Sequence, residues 1–159
     1  MTKYEMLLRE AEQLNLIVND EVDLGYQVKG LYVEKNNCNL ILLSKKIESS
    51  NLKRCVLAEE LGHYHTSQGN ILDQSKVNNR KQEKRARAWA YESLVSFNIL
   101  IEAYQNRVNT RYDLAEYIGV TELFLEDAIK YYSQKHGSFV KIDRFTIFFD
   151  PLGVMENFE

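Results

Sequence analysis

The chain has a single proline, Pro151, among 159 residues. Proline breaks helices because it lacks the backbone donor and its ring clashes with the preceding turn. Nothing of that kind interrupts the chain before Pro151, so its long middle reads as helical. The length suits one domain, or one domain with a small appendage. An apolar content of 45% is enough for a core.

Local signals divide the chain. Thr2 and Glu5 have capping-box spacing, and Tyr4, Leu7, Leu8, Ala11 and Leu14 then share one helical face, predicting a helix through about Leu14. Between Gly25 and Lys45, YQVKGLYVE and CNLILLS are short runs of Val, Ile, Leu and Tyr. Asn36 and Asn37 favour a turn between them, so two or three antiparallel strands are expected. Ser49, Ser50 and Asn51 are candidate N-caps for a helix running to about Gly69. Residues 69–79 are polar and predict a loop. Arg80 to about Gln105 predicts one long helix with Ala86, Trp89, Ala90, Leu94, Phe97 and Leu100 on its apolar side. The tail reads as helix, helix and hairpin through DLAEYIG, VTELFLEDAIKYYSQ and SFVKIDRFTIFFDP.

A net charge of -3 and a pI near 5.7 give no overall attraction to nucleic acid or anionic membrane. Cys38 and Cys55 form no CxxC pair, which favours a reducing compartment. The charged amphipathic N-terminus lacks a signal-peptide core, and no apolar run approaches the roughly 18 residues of a bilayer span. The sequence therefore predicts a soluble cytoplasmic protein.

The stretch with most chemical content is Glu59-Glu60-Leu61-Gly62-His63. Residues 59 and 63 are one turn apart and project from the same helical face, with Glu60 beside them. Zinc peptidases use two ligands at this spacing with an intervening glutamate that activates metal-bound water. The usual HExxH is here EExxH. A carboxylate ligates zinc at about 2.0–2.2 Å, but its added charge makes bound water less acidic. Val56, Leu57 and Leu61 bury the helix. Gly62 stands mid-helix, where glycine costs about 1 kcal/mol against alanine, so a close backbone approach is expected there.

The stretches CVLAEELGHYHTS and QEKRARAWAYESLVS together resemble the ImmA/IrrE-type metallopeptidases of phages and mobile elements. In that family a HELGH-like helix is followed by a helix of pattern E-x-x-A-x-x-F-A-x-x-L-L, here Glu83, Ala86, Trp89, Ala90, Ser93 and Leu94. The resemblance implies an α+β fold: a minimal zincin-like domain over 1–105, with a small antiparallel sheet, an active-site helix and a ligand helix. A helix-turn-helix-like module with a terminal β-hairpin would follow over 106–159. It further implies metal ligands at Glu59, His63 and Glu83, Glu60 as general base, and Zn2+ as cofactor. One nitrogen and two carboxylates also suit Mn2+ or Fe2+. The implied activity is metalloendopeptidase cleavage of a phage or mobile-element repressor or another helix-turn-helix regulator. Tyr64, His65 and Asp73 are candidates to orient the metal ligands or to bind substrate. A strand edge near residues 39–43 would hold substrate as an added strand.

Plainer readings stand beside these. Glu83 lies in KQEKRAR and pairs with Arg87 if the helix is merely solvated. On a straight helix His65 points about 200° away from His63. Cys55 and Trp89 read as core residues. An alternative function is a catalytically decayed member that binds a repressor as an antirepressor or regulatory protein, with Glu59 marking the lost site. Direct nucleic-acid binding by the C-terminal module is not expected. Between Arg111 and Lys135 three cations stand against five carboxylates, the wrong balance for phosphate.

Overall fold

The structure, a computed structural model, describes residues 1–67 and 76–158, and of residues 76–78 the backbone alone. The chain forms two compact units, Met1–Ala90 and Tyr91–Glu159. The class is α+β, as expected from the sequence.

The first unit opens with α1 (Lys3–Gln13). Its capping box closes in both directions: the Glu5 carboxylate accepts from the Thr2 N–H at 2.7 Å, and Thr2 Oγ1 accepts from the Glu5 N–H at 3.1 Å. Tyr4, Leu7 and Ala11 face inward. Strands β1 (Ile17–Val22), β2 (Gly30–Lys35) and β3 (Cys38–Ser44) form a sheet of order β1-β3-β2. β2 and β3 make the expected hairpin, with Asn36 and Asn37 at φ of 52° and 62° between the paired residues Lys35 and Cys38. Asparagine tolerates the left-handed conformation that a two-residue hairpin turn needs at both positions.

Two details differ from the sequence reading. β1 lies outside the 25–45 window and runs parallel to β3. It escaped notice because Asn19, Asp20 and Glu21 occupy half of it and none of its residues is fully buried. β3 is the central strand, so residues 39–43 offer no free edge for a substrate; the open edges belong to β1 and β2.

Helix α2 (Ser50–Thr66) begins at Ser49, whose side chain accepts from the Leu52 N–H at 3.2 Å. It buries Cys55, Val56, Leu57, Ala58 and Leu61 against the sheet and α1. The long helix expected from Arg80 to Gln105 is two helices, α3 (Lys76–Leu94) and α4 (Phe97–Gln105). Ser96 separates them: it is extended, and its hydroxyl accepts from the Ile99 N–H at 3.2 Å to cap α4. A serine within an apolar periodic run looks like a tolerated helix residue, so the stop was hidden.

The second unit contains α4, α5 (Arg111–Ile118), α6 (Glu122–His136) and the antiparallel sheet β4 (Phe139–Ile142), β5 (Phe145–Phe149), β6 (Leu152–Glu156). Thr110 and Thr121 cap α5 and α6, and Gly119 ends α5 at φ 84°, where a side chain would be strained. Pro151 lies at the β5–β6 turn after a cis peptide bond, and β6 extends the expected hairpin to three strands. Ile147 and Phe149 point into the core, where the Tyr132 hydroxyl donates to the Val95 carbonyl at 2.7 Å. Among the described residues no helix is long and apolar enough to cross a membrane.

Candidate functional site

Gly62 determines how α2 meets α3. A Cβ there would strike the carbonyl oxygen of Ala86 and lie 2.8 Å from its carbonyl carbon. With glycine, the two backbones touch, and this is the close approach the sequence anticipates. One residue on, His63 lies beside Glu83 of α3, with Nε2 3.2 Å from Glu83 Oε1. The conjunction of residues 63 and 83 is therefore real, and Glu83 is engaged with His63. The end of α2 is tied by side-chain bonds to its own carbonyls: Thr66 Oγ1 donates to Gly62 O at 2.7 Å, and the Ser67 hydroxyl donates to His63 O.

Glu60 turns the other way, toward β2. It is 9% exposed, and its carboxylate accepts from the Tyr32 backbone N–H. That N–H points away from β3. Lys29 O accepts from Ser44 N–H, so in antiparallel alternation residues 30, 32 and 34 present their donors outward. Gly30 makes room: a Cβ there would lie 2.6 Å from Val56 Cγ1 and 2.9 Å from Glu60 Oε1. Burial pushes the Glu60 carboxyl up to about 7, and the nearby Glu59 and Glu83 carboxylates push the same way; the Tyr32 N–H opposes them. Gly30 and Tyr32 were not among the residues singled out from the sequence. A glycine opening a Val- and Tyr-bearing strand is the signal for such a close approach.

Tyr64 and His65 continue the surface as an aromatic ladder. Tyr32 meets Tyr64 edge-on at 6.1 Å, Tyr64 meets His65 at 5.0 Å, and His65 stacks on Trp89 at 4.6 Å with planes 20° apart. His65 reaches Trp89 of α3, whereas His63 reaches Glu83, and the His65 imidazole is pulled down by partial burial. Trp89 is half-buried rather than core. Cys55 is core as expected, whereas Cys38 is exposed at the first position of β3. Asp73 lies outside the described residues.

This geometry corrects the expected chemistry. A catalytic zinc site takes about three protein ligands and a water. His63 and Glu83 supply a pair, and Glu59 does not complete it. Among the described residues no group of three or more His, Cys, Asp or Glu side chains is placed to hold a metal ion. The donor set thus does not fit Zn2+, and it does not fit Mn2+ or Fe2+, for which two protein ligands are likewise too few. The metalloendopeptidase reading falls with it, along with Glu60 as a base acting on metal-bound water. Glu60 instead bonds the strand backbone from a buried position.

No curated protein and no solved structure matches the chain. The sequence model of the IrrE N-terminal-like domain matches residues 4–130, from α1 through most of α6. The chain belongs to the IrrE N-terminal-like domain family.

Proposed function

We propose that the chain is a non-catalytic regulatory protein that uses the IrrE-type scaffold to bind a repressor-type transcriptional regulator in the cytoplasm. The observation that carries this reading is the motif helix itself. α2 keeps the spacing of the family motif through Gly62 and His63 and meets Ala86 and Glu83 of α3, yet the described residues assemble no three-ligand set. A scaffold preserved without its metal chemistry suits binding. Tyr64 and His65, with the His63–Glu83 pair, supply its contact surface, since aromatic side chains give large contact area at low entropic cost.

The test uses the full chain and purified helix-turn-helix repressors of phages or mobile elements, mixed in parallel with added Zn2+ and with a chelator. The expected result is a stoichiometric complex by light scattering, with the repressor intact by mass spectrometry. Cleavage of the repressor, or failure of every tested repressor to form a complex, would refute the reading.

A further inference from the structure

Over residues 79–90 helix α3 carries five cations that the site above does not use: Arg80, Lys81, Lys84, Arg85 and Arg87. All five are exposed. The segment 79–90 contains one carboxylate, Glu83, and that group is turned to His63. Among the described residues no carboxylate pairs with any of the five. At 1.5 Å per residue they occupy about 10 Å of helix axis. Ala86 and Ala90 face the core; on the helical wheel Arg80, Lys81, Lys84 and Arg85 point away from them, and Arg87 lies at the margin of that outer face. Lys81, Arg85 and Trp89 fall at i, i+4 and i+8 and form one ridge. That ridge ends on the ring of His65, which stacks on Trp89 and abuts Tyr64.

We propose that this face of α3, a basic stripe ending in the Trp89–His65–Tyr64 ladder, is a docking surface for an acidic segment of a protein partner. Charge complementarity selects the partner's sign. Five exposed cations within one Debye length attract carboxylates, and arginine holds a carboxylate through two parallel hydrogen bonds. The ladder favours a protein over duplex DNA, because Trp, Tyr and Arg are the residues that anchor protein interfaces. The chain's net charge of -3 points the same way: duplex DNA presents a continuous line of phosphates, which the remainder of the chain repels. The inference gives a surface and a partner chemistry to the binding role above, and it rests on that reading only for the partner being a protein.

The experiment titrates the full chain against two fluorescent probes: a synthetic glutamate-rich helical peptide of about 20 residues, and a duplex DNA of about 20 base pairs. The expected result is peptide binding that weakens as salt rises, and that is tighter than duplex binding at every salt concentration. The triple variant R80E/K84E/R87E should weaken peptide binding about 30-fold or more, since each reversed charge turns an attraction into a repulsion. The milder K84Q/R87Q should weaken it about 3- to 10-fold. Trp89→Ala should weaken binding with the salt slope unchanged. Circular dichroism confirms that each variant is folded. Tighter binding to the duplex, or a folded triple variant that binds the peptide as the parent does, would overturn the proposal. Stripe-dependent peptide binding without any repressor complex would uphold the surface and remove the binding role proposed above. Repressor binding and peptide binding both unchanged in the triple variant would remove the surface and leave that role standing.

Discussion

Glu60 makes stability depend on pH in a direction opposite to that of most carboxylates. Its folded carboxyl is pushed up to about 7 from an ordinary value of 4.5. Below about pH 4.5 it is protonated folded or unfolded and contributes nothing. Between there and pH 7 the folded chain keeps a proton that the unfolded chain has released, so stability falls by about 1.4 kcal/mol per pH unit. Above pH 7 the full penalty is present, about 3 kcal/mol from the size of the shift, as an order of magnitude. Glu60→Gln removes the charge and leaves a side-chain oxygen able to accept from the Tyr32 N–H. The variant should match the parent near pH 4.5 and exceed it by about 1–3 kcal/mol near pH 8. Urea titrations read by the chain's single tryptophan, Trp89 in the same unit as Glu60, measure this directly. His65 acts in the reverse sense: its imidazole is pulled down in the fold, so its stabilising contribution is lost as pH falls through its unfolded value. That contribution is common to both proteins and cancels in their difference. A Glu60→Gln protein with the same pH slope as its parent, or one less stable near pH 8, would refute the assignment of Glu60 as a buried carboxyl bonded to β2.

Gly62→Ala should cost about 2–3 kcal/mol in urea denaturation, because the clash is with the backbone of Ala86 rather than with a movable side chain; a loss below about 0.5 kcal/mol would show that α2 and α3 do not touch there. Ser96→Ala should remove about 1 kcal/mol by uncapping α4, measured as a lower midpoint in the helical circular dichroism signal. Tyr132→Phe leaves the buried Val95 carbonyl without its donor and should cost about 1–3 kcal/mol in the same measurement. Prolonged treatment with a chelator should leave the melting temperature unchanged, whereas a ligand bound at 100 times its Kd would contribute about 2.7 kcal/mol; a marked fall in melting temperature would contradict the two-ligand geometry of His63 and Glu83.

Much of this protein was written in short-range signals. The capping residues Thr2, Ser49, Thr110 and Thr121, the Asn36–Asn37 turn and the helical spacing of Glu59, Glu60 and His63 act within a few residues of themselves, so their outcome follows from neighbours in sequence. Gly62 announced a close contact without naming the partner. What tertiary structure decided was where distant segments meet. The polar strand β1 found a parallel place beside β3, Ser96 cut one apolar run into two helices, and Glu60 turned to the β2 backbone instead of to a shared ion. Spacing along a helix places a side chain on a face, but convergence of three donors on one point depends on the crossing of α2 and α3, set by the contact of Gly62 with Ala86. That contact brings His63 to Glu83 and leaves Glu59 outside, so a motif legible in sequence became a packed and paired surface rather than a metal centre.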